Sequence, residues 1–134
     1  MVVGTIAGVA ATVVGVAAHL VLAPGPRSPQ AVAEAFLTAN ERHDWAASWA
    51  LLCRSEQEQV GSLAMWSDVQ DLDAQIRGPW VADETTTVHR VRVDERSSPP
   101  SFLVDLEHDT GTAVYFDTLL VVEEAGDLRA CGMR

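Results

Sequence analysis

The sequence predicts an α+β domain behind an apolar N-terminal segment, and three observations carry that expectation. Val2 to Ala23 contains no Asp, Glu, Lys or Arg and is closed by Pro24-Gly25-Pro26. From Ser28 to Gly78 the apolar residues recur at helical spacing. After Pro79 the texture turns to period 2, with β-branched runs separated by turn residues. Helices followed by strands imply a helical layer on one face of an antiparallel sheet.

The first segment is long enough to cross a bilayer. Its 22 residues would extend roughly 33 Å as a helix. A signal peptide has a shorter apolar region behind a positive stretch, and a cut after Ala23 would leave Pro24 directly behind it. A core helix of a small domain shows an apolar stripe, whereas this segment is apolar all round. The expected organisation is therefore a transmembrane anchor at 1–23, a linker at 24–28 and a domain at 29–134. Gly4, Gly8, Ala11 and Gly15 lie along one ridge, the spacing of small-residue helix pairing, and His19 falls near the end of the span. Only Arg27 flanks the segment closely, so charge leaves the orientation open.

All nineteen acidic residues and all nine basic residues, every one an arginine, follow Ala23, so the net charge of −10 belongs to the domain. That balance repels a phosphate backbone and an anionic leaflet and excludes nucleic-acid binding and a polybasic membrane clamp. The two cysteines, Cys53 and Cys131, are either buried thiols or a pair. A pair is expected, since anchored domains usually face outward and disulfides persist outside the reducing cytosol. The domain is then expected outside the cytoplasm, on the cell membrane.

Ser28-Pro29 is a helix start, and Val32, Ala35, Phe36 and Ala39 form the apolar face of a helix running to about Arg42. Asp44 caps a second helix in which Trp45, Trp49 and Leu52 share a face and Cys53 stands at the end. Ser55 to Glu58 and Ser67 to Gln70 have capping-box spacing. Val69, Leu72 and Ile76 form the stripe of the last helix, which Gly78-Pro79 ends. Strands are expected over Thr85–Asp94, Ser101–Glu107, Thr112–Glu123 and Leu128–Met133.

Turn parity groups the sheet residues by face. Cys131 shares one face with Leu103, Asp105, Val114, Phe116, Leu120 and Val122. For Cys131 to meet Cys53, that face is expected beneath the helices, where Asp105, Phe116 and Trp49 would line a pocket. The opposite face carries Phe102, Val104, Leu106, Tyr115, Asp117, Leu119 and Val121. Too apolar for water, it is expected to be an interface for a protein partner or a second copy, with Phe102, Val104, Tyr115, Leu119 and Val121 at its centre. A single bulge would invert part of this.

The layout resembles that of NTF2-like domains. The resemblance rests on the anchor, the helix Ala31-Val32-Ala33-Glu34-Ala35-Phe36-Leu37, a second helix ending Trp49-Ala50-Leu51-Leu52-Cys53, and a last strand Leu128-Arg129-Ala130-Cys131-Gly132. Within that superfamily it resembles small membrane-anchored actinobacterial members of unknown function, and the resemblance covers Ser28 to Arg134. It implies about three helices packed into the cone of a curved antiparallel sheet of about four strands, with a cone that holds a ligand or is plugged. It also implies roles as accessory subunits of envelope transport and secretion machinery.

Chemistry is sparsely encoded. Asp105 would act as a base if buried alone, while an ion pair with Arg90, Arg92 or Arg129 would silence it. His43-Asp44, His89 and His108-Asp109 do not repeat at metal-ligand spacing, so no metal is expected. No phosphate loop or nucleophile elbow occurs, and no cofactor is expected. The expected function is thus a non-catalytic accessory or assembly protein of the cell envelope; the alternative is a small-molecule-binding or isomerase-like enzyme using the cone.

Overall fold

The computed structural model describes residues 26–81 and 83–134; the expected anchor, Val2 to Ala23, lies outside them. Among the described residues no helix is long and apolar enough to cross a membrane. Four helices precede four strands, α1 (Pro29–Glu41), α2 (Trp45–Leu51), α3 (Arg54–Val60), α4 (Leu63–Val81), β1 (Thr85–Asp94), β2 (Ser101–Asp109), β3 (Val114–Glu124) and β4 (Asp127–Met133). The strands form one antiparallel sheet in the order β1-β2-β3-β4, so the domain is α+β.

Local chemistry sets the helix starts. Ser28 Oγ accepts from the Ala31 amide at 3.1 Å, with Pro29 at the first helical position, which satisfies a donor that has no partner within the helix. Asp44 Oδ1 accepts from the Ala47 amide at 3.0 Å and opens α2. Two expected starts move. Helix α3 begins at Arg54, one residue before Ser55, with its first amide held by the carboxylate of Glu124 at 3.0 and 3.2 Å. Helix α4 begins at Leu63, where Ser62 Oγ accepts from the Met65 amide at 3.2 Å. Ser67 lies inside that helix and donates to the Leu63 carbonyl at 2.9 Å. The helix also runs through Gly78-Pro79 to Val81; so near the end, proline costs only one intrahelical hydrogen bond.

Helix α1 crosses all four strands and buries Val32, Ala33, Phe36 and Ala39 against them. Opposite it lie Val104, Leu106, Leu119, Val121 and Ala130, all buried, with Leu52 from the end of α2. Full burial of one such side chain contributes about 1.5–3 kcal/mol.

The two faces of the sheet are grouped as turn parity predicts, since Val104 pairs with Leu119 and Asp105 with Thr118. The helices, however, cover the other face. Val104, Leu119 and Val121, expected at an interface, are the core; Phe102 packs on it, and Tyr115 is half-buried on the same face. Asp105 and Phe116 lie on the helix-free face. The reason is the route of the cysteine. Leu52 forms a parallel bridge with Ala130, and the Cys53 amide donates to the Ala130 carbonyl at 2.7 Å. Cys53 thus runs beside the edge strand, where its Sγ meets that of Cys131 at 2.05 Å, with Ser55 Oγ of α3 at 3.1 and 3.3 Å from the two sulfurs.

Two bulges complete the sheet. In β3–β4 the register shifts between Leu119 and Val121. Gly132, at φ 88°, sits in the extra-residue stretch, and a Cβ there would approach Glu56 Oε1 to 2.9 Å. In β1–β2 the shift falls between Val88 and Arg90, displacing His89 and setting Arg90 opposite Asp105. Ala125 (φ 52°) and Gly126 (φ 86°) make the two-residue turn between β3 and β4, whose right-handed twist favours such left-handed residues.

Candidate functional site

The three side chains expected to share a pocket do not converge. Trp49 lies among the helices, half-buried, its ring 6.4 Å from that of Trp66. Asp105 and Phe116 border a shallow depression on the helix-free face with His89, Arg90 and Arg92. There Asp105 is fully engaged. Arg90 Nε and Arg92 Nε donate to Oδ2, both at 3.0 Å; Arg92 Nη2 donates to Oδ1 at 2.7 Å and Thr118 Oγ1 to the same oxygen at 3.0 Å. The Arg92 fork, with Arg90 and Thr118, holds the carboxyl well below the usual carboxylate range although burial opposes it. The same contact raises the Arg92 guanidinium. Such a carboxylate is a poor base. The bulge at His89 builds this cluster, because without it Arg90 and Arg92 would point to the helix side.

On the helix side lies a cavity of about 340 Å³ between α1, α4 and the sheet. Phe36, Leu106 and Met133 supply an apolar floor, Trp45 and Trp66 an aromatic wall, and Asn40, Gln70 and His108 polar edges. Both indoles are fixed, since Trp45 Nε1 donates to Asp71 Oδ1 at 2.7 Å and Trp66 Nε1 to Ser48 Oγ at 2.9 Å. That size is at the small end of ligand cavities.

At its sheet end stands a cluster of three residues far apart in the sequence, Glu84, His108 and Tyr115. His108, 8% exposed, has Nδ1 at 2.8 Å from Glu84 Oε1 and 3.0 Å from Thr86 Oγ1. Tyr115 donates from its hydroxyl to Glu84 Oε2 at 2.7 Å and stacks on the imidazole with centroids 4.5 Å apart. Burial, then the Glu84 carboxylate, raises the Tyr115 hydroxyl above its ordinary value, so it remains a donor. On the other side of the ring, Asp117 Oδ2 is 3.4 Å from Nε2. Nε2 and, across the cavity wall, Asn40 Oδ1 are buried without a hydrogen-bond partner. The spacing Phe102, Val104, Leu106, His108 was the available signal: period 2 carries His108 onto the core face. Nothing in the sequence marks Glu84, which reaches His108 from the residue before β1.

A second feature lies on the outer side of α4. Met65, Val69, Leu72 and Ile76 are 57, 56, 57 and 62% exposed. Val69, Leu72 and Ile76 form the expected stripe and Met65 extends it by one turn, but among the described residues nothing covers the row. Trp66, Gln70, Ala74 and Arg77 take the inward face toward the cavity.

Compared with protein-family models, with curated proteins and with solved structures, the chain matches none of them.

Proposed function

We propose that the chain is a membrane-anchored, NTF2-like protein of the cell envelope, with its domain outside the cytoplasm. It acts without catalysis, as an accessory or assembly protein that binds another protein. The observation that carries this reading is the apolar row Met65, Val69, Leu72 and Ile76 on α4, which among the described residues nothing covers. An apolar face of four side chains, each more than half exposed, is the mark of an interaction surface on a small domain. The engagement of Asp105 by two arginines removes it as the base of an isomerase-like site, and the Val2 to Ala23 segment and the cysteine pair support the placement.

The test is a photo-crosslinking amino acid placed at Leu72 and, as control, at Glu95 of the full chain in its membrane. The reading expects a discrete adduct from position 72 and none from position 95. Equal labelling at both positions, or none at 72, counts against it.

A second reading, that the cavity takes a small molecule, is favoured by Asn40 Oδ1, an acceptor in the cavity lining that is buried without a hydrogen-bond partner. An unmet buried polar atom costs about 1–3 kcal/mol, which a guest carrying a hydrogen-bond donor would offset. Trp45 and Trp66 report on it directly. A saturable shift of tryptophan emission on adding cyclohexanol, abolished by Ala74→Phe, is the expected result. A shift that stays linear with concentration removes this reading.

A further inference from the structure

Resting on the reading of α4 as a docking face, we infer that its occupant is an amphipathic helix of a partner protein, with basic residues flanking an apolar seam. The row Met65, Val69, Leu72, Ile76 follows 4-3-4 spacing, the repeat that brings one helix against another along a common seam. It runs three helical turns, matched by a partner helix of similar length. Carboxylates flank it on both sides. On the helical wheel Asp68 stands on one side of the row and Asp73 on the other. The only basic residue of α4, Arg77, lies 3.7 Å from Asp73 and is exposed.

This arrangement selects among occupants. A second copy would bring Asp68 and Asp73 against their equivalents, on a domain already at −10, and like charges across a helix seam disfavour pairing. An anionic leaflet is repelled for the same reason. The chain's own Val2 to Ala23 contains no charged side chain and offers the carboxylates no complement. A helix with Lys or Arg beside its seam satisfies both parts: apolar contact supplies the affinity, and charge sets the choice of partner.

The experiment uses the full chain in nanodiscs of neutral lipid and three synthetic helices of equal length. All carry the same leucine seam; the flanking positions hold lysine, glutamate or glutamine. Binding is read by fluorescence anisotropy at low and at high salt. The lysine helix is expected to bind at least tenfold more tightly than the glutamate helix at low salt, with the difference shrinking at high salt. Asp68→Asn narrows that preference, and Val69→Ser with Leu72→Ser abolishes binding while leaving every charge in place. Equal binding of the three helices overturns the charge argument and leaves the docking face intact. Binding that survives the double serine variant overturns both, as does a chain that binds no helix and pairs with itself through α4.

Discussion

Replacing Asp105 by Asn tests whether this residue holds the sheet together or serves as a base. In the native protein four donors converge on its two oxygens, three of them from guanidinium groups. Asparagine keeps one acceptor and turns an amide donor toward the arginines, so at least two charge-assisted bonds are lost. A hydrogen bond to a charged group contributes about 1.5–3 kcal/mol. The two guanidinium groups are 61 and 43% exposed and regain water when released, so the low end applies and a net loss of about 2 kcal/mol is expected. With a urea slope of about 2 kcal/mol per molar for a domain of this size, the midpoint falls by about 1 M. The pH dependence has a definite sign. A carboxyl depressed in the folded state stabilises above the ordinary carboxylate pKa and loses that contribution as pH falls through the depressed value. The native protein therefore keeps the Asp105 contribution down to about pH 4 and loses it only below, while the variant lacks that acid limb. Urea melts of both proteins at pH 7, 4 and 2.5 read the effect. Coincident midpoints at pH 7 would refute the structural role.

Other perturbations separate core from surface. Leu106→Ala, at a side chain with no exposed area, is expected to cost about 3 kcal/mol in the same melts. Val69→Ser with Leu72→Ser, at exposed positions, should leave stability within about 0.5 kcal/mol; a larger loss would show that the row is buried. The Cys53–Cys131 bond closes a sequence separation of 78, for which loop entropy gives an upper stabilisation of about 4.5 kcal/mol. Mass measurement before and after reduction should differ by two hydrogen atoms, and reduction should lower the melting temperature. Alkaline carbonate should leave the full chain in the membrane pellet, and external protease should reach the domain in spheroplasts; release by carbonate would contradict the anchor.

Much of the secondary structure was readable because local rules were obeyed. Ser28-Pro29 and Asp44 cap as their chemistry dictates, and Thr85–Asp94 is a strand with those bounds. The two face groups follow from strand period and turn length alone. Which group the helices cover is not a local property, since both contain enough apolar residues to be buried. The cysteine geometry pointed the wrong way because Cys53 reaches the edge of β4 rather than its face. Ser55 and Ser67 carry capping-box spacing, but Ser55 follows a start already made at Arg54, and Ser67 lies in the second turn of α4. His108 was hidden in an apparent turn because β2 extends two residues beyond Glu107. Its partner Glu84 is joined to it only by the fold. The α4 stripe was legible as a stripe; its exposure depends on α1 and α2 having already filled the core side.

Methionine oxidation reads whether a partner covers the outer face of α4. Met65 lies in the row at 57% exposure, and Met133, at the end of β4, is 48% exposed and serves as an internal reference. Limited peroxide treatment converts accessible methionine to the sulfoxide, which peptide mass mapping quantifies at each site. In the purified chain both residues should oxidise at comparable rates. In intact membranes Met65 is expected to be protected severalfold relative to Met133, and a soluble lysine-flanked helix added to the purified chain to reproduce the protection. Met65 oxidising at the same rate in membranes as in the purified chain would contradict it.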